Sequence, residues 1–361
     1  MDKNIFEYID KYIKKYHNYQ TYWNYEDGCI LMGLTQLYDV TGEKSYMDYI
    51  IKYLEPLIEN DGTINNYETG KHNIDGFNCG KILFKAYDYS HDEKIRLAIN
   101  FLMKNLMEQP RTNDGNFWHK GIYPNQVWLD GLYMAQPFYM EYETKYNKKE
   151  NYHDITNQFL NVRKHMYNKE KGLYYHGYDE SKKMFWANKD TGLSKNFWLR
   201  SMGWYLMALV DTIDEMSDEI YEDYRALCDL FREAIKGILK YRDDETGLFR
   251  QVIDAGNIHG NYTETSGTSM VAYAIMKGTR LGILNEEKYK DLGIDIFNRL
   301  AKSKLINGEL IDICKVAGLG PETSPQRDGT LEYYLSEPIT SDDAKGVGPF
   351  IMAFAQKLRL T

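Results

Sequence analysis

The chain has 361 residues, 43% hydrophobic and 27% charged, the make-up of a globular protein with room for one large domain or two ordinary ones. Its net charge of -9 argues against nucleic acid and against anionic membrane surfaces as partners, and no stretch is long and apolar enough to span a bilayer. The 32 Tyr, 14 Phe and 6 Trp are the rings expected along a carbohydrate or ligand cleft, with the remainder serving as core and rim packing.

The first element expected is an amphipathic helix over 3–16, where Ile5, Phe6, Ile9, Tyr12 and Ile13 fall at helical spacing. This segment has neither a continuous apolar core nor a small-residue cleavage site, so it reads as part of the mature fold, and the protein as cytoplasmic. A glycine-started segment that is apolar over much of its circumference then recurs along the chain. It begins at Gly28, Gly76, Gly131, Gly203, Gly267 and Gly348. Helices of that kind must be buried on most sides. Between them lie amphipathic helices at roughly 45–58, 92–108, 152–167, 219–241 and 286–303, joined by short polar turns such as TGEK (41–44) and SHDEK (90–94).

The pattern is six inner and six outer helices. Paired helices can stack openly or close on themselves. Here the chain starts with an outer-type helix and ends with an inner-type one, so the two can complete the sixth pair. The fold class expected is all-α, an (α/α)6 barrel, with a single domain over 1–361. The four cysteines are scattered without metal-ligand spacing and read as buried free thiols.

Connections after the outer helices are long (about 59–76, 109–131, 168–203, 242–267 and 304–347), and in an alternating barrel they emerge at one end. Several carry a turn followed by β-prone residues: DGTI at 61, DGNF at 114, KGLYYH at 171, TGLF at 246 and NGEL at 307. These predict small hairpins around a cleft.

Four connections end in reactive residues just ahead of an inner helix. They supply Asp75; then His119, Lys120, Trp128 and Asp130; then His176, Trp198 and Arg200; then Glu264 and Thr265. Asp130 stands among aromatic rings at a helix start, and desolvation there favours the protonated carboxyl that a general acid needs. Plainer roles fit the same residues: Asp75, Asp130 and Glu264 as helix caps, the histidines as hydrogen-bonded structural groups, Arg200 as the partner of a nearby acid. What tells against them is recurrence at one topological position. No HxH or HExxH spacing exists, so no metal is expected, and no cofactor motif (GxGxxG, GxxxxGK[ST]) is present.

QVWLDGLYMAQPF, FWLRSMGW, ETSGTSM and DGTLEYYLSEPITSDDAKGVGPFIMA resemble the unsaturated glucuronyl and rhamnogalacturonyl hydrolases, glycoside hydrolase family 105, related to family 88. The likeness runs from WNYEDG (23–28) to GVGPF (346–350) and implies an (α/α)6 barrel without a cofactor. It also implies a substrate whose non-reducing end carries a 4,5-unsaturated uronic acid. In that chemistry the Asp of the WxDGLYM motif, here Asp130, protonates C4 of the vinyl ether and water adds at C5. By the same resemblance Asp75 holds sugar hydroxyls, Lys120 and Arg200 face anionic or polar groups of the substrate, and Trp128 and Trp198 stack on its rings. His119, His176, Glu264 and Thr265 complete the binding set. SMGW departs from the GNGW more usual after the Arg, which leaves specificity open.

The alternatives are a conventional inverting glycosidase using Asp75 and Asp130, and a non-catalytic sugar-binding barrel. A monomer or weak homo-oligomer is expected. Galacturonyl against glucuronyl, and the leaving sugar, are not legible.

Overall fold

Helices that are apolar on every side are driven inward, and helices with one apolar face cover them. The computed structural model describes residues 1–17 and 22–361. In chain order its helices are α1 (Asp2–Lys15), α2 (Tyr25–Thr41), α3 (Lys44–Leu54), α4 (Ile82–Ser90), α5 (Glu93–Met107), α6 (Leu129–Lys145) and α7 (Tyr152–Met166). They continue as α8 (Leu199–Glu215), α9 (Tyr221–Ile238), α10 (Thr265–Arg280), α11 (Glu286–Lys304), α12 (Leu331–Ser336) and α13 (Ala344–Leu360).

The inner helices are α2, α4, α6, α8, α10 and α13. In α8 every residue from Leu199 to Ile213 is buried, and in α10 every residue from Thr265 to Thr279. An outer helix such as α9 instead buries one stripe, including Leu227, Leu230, Phe231, Ala234 and Ile235. Neighbouring inner helices pack around a ring, and α13 returns against α2 to close it. Closure needs close backbone approach. A Cβ on Gly348 of α13 would lie 2.3 Å from the carbonyl oxygen of Cys29 on α2, so only glycine fits there.

The ends of the chain meet as the pattern requires. On α1, Phe6 sits edge-on to Phe354 of α13 at 4.9 Å, and Asp2 pairs with Lys357 at 2.5 Å. The first helix is therefore the outer partner of the last.

Two departures have local causes. The segment from Gly76 is not one helix: it opens with two 3-10 turns, Ile74–Phe77 and Cys79–Lys81, before α4. Gly76 and Gly80 weaken the helix, and the Asn78 side chain donates to the Tyr25 carbonyl at 2.7 Å instead of facing away. The helix expected to reach residue 58 stops at Leu54: Glu55 still has helical dihedrals, but Pro56 has no N–H with which to continue the i→i−4 ladder.

All four cysteines are free and buried. Among the described residues no helix is long and apolar enough to cross a membrane.

At the end where the inner helices begin, the connections fold back as small β pairs. KGLYYH joins β2 (Tyr167–Asn168) to β3 (Leu173–Tyr174), and NGEL joins β5 (Leu305–Ile306) to β6 (Glu309–Leu310). DGTI and DGNF turn between the single bridges Ile58–Ile64 and Arg111–Phe117, and TGLF closes a turn in which Asp243 N–H donates to the Leu248 carbonyl. One pairing joins two different connections: β1 (Gln126–Trp128) runs antiparallel to β4 (Gly177–Asp179), with Trp128 opposite Gly177.

Candidate active site

That cross-loop pairing assembles the site. Because Trp128 sits opposite Gly177, the preceding His176 lies against the first residues of α6, and the Leu129 N–H donates to the His176 carbonyl at 3.1 Å. The His176 ring is then delivered to Asp130: Nε2 stands 3.2 Å from Oδ2, too far out of line for a hydrogen bond. Asp130 occupies the first turn of α6, whose cap position is held by Trp128, so Asp130 does not cap the helix. Its side chain is 14% exposed, with Oδ2 buried and unbonded.

Asp75 lies in the 3-10 turn before α4, and Asn73 is the capping residue there. Lys120 Nζ is 2.5 Å from Asp75 Oδ2, and His119 Nε2 is 3.7 Å from Oδ1. Burial alone would push the Asp75 carboxyl up; the charge of Lys120, then that of His119, outweighs it and holds the group below the usual carboxylate value. For Lys120 burial opposes the charge, and the field of Asp75 overcomes it and raises the ammonium. The His119 imidazole is pushed down to about 4, first by burial, which the nearby Asp75 only partly offsets.

An aromatic wall joins these groups. His119 stacks on Trp128 at 4.3 Å, Trp128 stacks on Tyr123 at 4.8 Å, and His176 packs against Trp198 at 4.9 Å. Trp198 in turn stacks on Tyr334 at 6.0 Å. The two tryptophans expected to face sugar rings thus have protein rings as stacking partners, and Trp198 is only 1% exposed.

Arg200, Glu264 and Thr265 lie behind this surface. The Arg200 guanidinium donates to Ser266 Oγ at 2.7 Å and to the Cys314 carbonyl, and lies 3.6 Å from Glu264. Burial opposes its charge, while Cys314 and Glu264 raise it above its ordinary value. Glu264 is the cap of α10: it accepts from Ser266 N, Ser266 Oγ, Gly267 N and Cys314 N, and is fully buried. Thr265 Oγ1 donates to the Ile311 carbonyl at 2.6 Å and is fully buried. Glu264 and Thr265, expected to touch substrate, have their side-chain polar atoms engaged within the protein: Glu264 Oε1 and Thr265 Oγ1 tie α10 to the 309–314 connection, and Glu264 Oε2 accepts from Gly267 N. The capping roles therefore separate, with Glu264 a cap and Asp75 and Asp130 not.

Residues not singled out from sequence complete the ring. Tyr25 is the first residue of α2 and Lys345 the second of α13, in the opening turn as Asp130 and Arg200 are in theirs. Lys345 Nζ pairs with Glu26 at 2.8 Å and Asp343 at 2.9 Å. Burial opposes its charge, and Tyr25, Asp343 and Glu26 together raise it. Their positional recurrence was the available signal: each follows a connection and opens an inner helix, as Asp130 does. Tyr334, on α12, carried no such signal.

At the opposite end of the barrel, a polar cavity of about 280 Å³ touches all six inner helices. Its charges close on one another, as in Lys277 with Asp211 (2.8 Å) and Asp214 (2.9 Å) and Lys145 with Glu141 (2.9 Å). The acid–imidazole pairing and the aromatic wall belong to the other end. Among the described residues no group of three or more His, Cys, Asp or Glu could hold a metal ion.

A closed ring of paired helices carries a carboxyl, imidazoles and aromatic rings at its mouth, and the family match makes the chain a glycosidase-type hydrolase. The sequence profile of Glycosyl Hydrolase Family 88 matches residues 1–361, and the chain belongs to that family. The structure of a family 105 glycoside hydrolase from C. acetobutylicum ATCC 824 superposes with a TM-score of 0.92, at 41% identity, over 99% of this chain and 98% of that one. Protein Atu3128 of Agrobacterium fabrum is 40% identical over 235 residues, 63% of this chain and 99% of its own. The unsaturated rhamnogalacturonyl hydrolase YesR of Bacillus subtilis is 21% identical over 287 residues, 78% of each chain.

Proposed function

We propose that this enzyme, a single domain over 1–361, removes a 4,5-unsaturated uronic acid from the non-reducing end of lyase-generated oligosaccharides, with unsaturated galacturonyl-rhamnose as the favoured substrate. Family membership supports the activity, and the name carried by the Bacillus relative favours the sugar.

The observation that carries the chemistry is the unequal state of the two carboxyls. Asp75 is locked to Lys120 at 2.5 Å and held as the anion, whereas Asp130 keeps a buried, unbonded oxygen beside an imidazole. A two-carboxylate glycosidase needs a second group free to activate water or attack carbon. Asp75 is poorly suited to that, which favours a reaction run by one acid.

In that reaction the Asp130 proton goes to C4 while the C4=C5 electron pair forms the new C–H bond. Positive charge develops at C5 and on the ring oxygen. Water attacks C5 and gives its proton to the Asp130 carboxylate, leaving a hemiketal. The bond from C5 to the ring oxygen breaks, C5 becomes a ketone, and the ring oxygen becomes the hydroxyl of a C1 hemiacetal. Collapse of that hemiacetal gives the C1 aldehyde and releases the remaining sugar as an alcohol. Asp130 ends protonated, as it began. Lys120, Arg200 and Lys345 lie near Tyr25 and Asp75 at this end of the barrel, where a uronate would meet them beside their carboxylate partners Asp75, Glu264, Glu26 and Asp343.

Turnover in D2O, stopped before the product can exchange, tests the step. One deuterium at C4 is expected. A uronate product released with its C4=C5 bond intact and no deuterium at C4 would point to attack at the anomeric carbon.

A further inference from the structure

We propose that Tyr334 is a positioning residue for catalysis, fixing the tautomer and orientation of His176 so that Nε2, the ring nitrogen nearest Asp130, carries the proton. The proposal rests on the reading of Asp130 as the acid, and adds to it how the acid is oriented.

Tyr334 lies on α12, far in sequence from the other groups, and its hydroxyl is 2.7 Å from His176 Nδ1. Both residues are fully buried. Among the described residues the phenol has no hydrogen-bonding neighbour other than that nitrogen. A buried O–H without an acceptor is costly, and that cost is avoided only if the phenol donates to Nδ1. Burial holds the phenol well above its ordinary pKa, so the donor proton is retained. In the neutral ring the remaining proton then sits on Nε2, the atom 3.2 Å from Asp130 Oδ2.

The ring cannot easily turn away. Trp198 packs on it at 4.9 Å, Trp128 meets it edge-on at 5.4 Å, and its own backbone is pinned by the Leu129 N–H. Gln251 completes the support by donating to the Tyr334 carbonyl at 3.3 Å and accepting from Trp198 Nε1 at 3.2 Å.

The consequence for Asp130 is directional. With the ring proton on Nε2, 3.2 Å from Oδ2 although out of line for a hydrogen bond, Oδ2 is the unfavourable seat for a second proton, and the acidic proton resides on Oδ1, which is then the atom that serves the substrate. With the other tautomer, Nε2 would accept the acid's proton and hold it away from C4. The triad of serine proteases shows the same logic, where a third group sets which imidazole nitrogen carries the proton.

The test pairs kinetics with spectroscopy. In Tyr334→Phe the ring and its stacking are kept and only the hydroxyl is lost. The expected result is a kcat about 10- to 100-fold lower with KM changed by less than about twofold, because the substrate does not touch Tyr334. Nitrogen-15 spectra of histidine-labelled wild-type protein, with the His176 signals assigned by their absence in His176→Gln, should show Nε2 protonated and Nδ1 bare. Tyr334→Phe should mix the two tautomers. Wild-type kcat in Tyr334→Phe, or a wild-type His176 protonated on Nδ1, overturns the proposal. The spectra decide even if the variant folds poorly. Full activity in Asp130→Asn would instead remove the reading beneath it.

Discussion

Lys120 Nζ sits 2.5 Å from Asp75 Oδ2, and this ion pair joins the connection ahead of β1 to the turn ahead of α4. The Asp75 side chain is 12% exposed and that of Lys120 24% exposed, so each charge depends on the other for much of its solvation. Lys120→Met should destabilise the fold by about 2–3 kcal/mol at neutral pH, read as a lower urea midpoint. Asp75 titrates lower in the folded than in the unfolded chain, so its contribution is present above the ordinary carboxylate pKa and is lost as pH falls through the lowered value. The variant should therefore lose less stability than the wild type on acidification below about pH 4. Parallel acid limbs would mean that the pair contributes nothing.

Glu264 shows how a residue expected at the substrate can be engaged elsewhere. Four donors converge on its carboxylate and Arg200 lies 3.6 Å away. Glu264→Gln places an amide NH2 among donors and leaves Arg200 buried without its counter-charge. A loss of about 3–5 kcal/mol is expected, with KM little changed in whatever folded protein remains. A large rise in KM at unchanged stability would return Glu264 to the substrate surface.

His119 gives a pH dependence of the opposite origin. Its folded pKa is about 4, against 6.5 for an unperturbed imidazole. Between those values the unfolded chain binds the proton and the folded chain does not, so stability is full above the upper value and falls as pH drops through the window. In His119→Gln the denaturation midpoint should depend less steeply on pH between about 6.5 and 4. An unchanged slope would place the proton-linked loss on other groups.

Much of this was readable from the chain. Repetition of Gly-started apolar segments carried the barrel, because an all-round apolar helix such as α8 has nowhere to go but inside. Recurrence ahead of inner helices pointed to Asp75 and Asp130, and to Arg200, whose guanidinium the structure ties to Ser266 and Cys314 beside Glu264. What could not be read was layering. Glu264 and Asp130 hold equivalent places in sequence, yet the 309–314 connection folds over one and not the other, and that is decided by contacts some fifty residues away. The same long-range folding hides Tyr334, which reaches His176 across a separation of 158 residues. The broken start of the second inner helix was half visible in Gly76 and Gly80; the pull of Asn78 on the Tyr25 carbonyl was not.

The most direct measurement follows the conjugated C4=C5 chromophore and the released sugar together, on an unsaturated galacturonyl-rhamnose disaccharide, for the wild type and Asp130→Asn. The wild type should consume the chromophore in step with sugar release, and Asp130→Asn should be slower by about 10²–10⁴-fold while keeping its fold. Sugar released with the chromophore intact, or equal rates for the two proteins, would contradict the assignment of Asp130 as the acid that protonates C4.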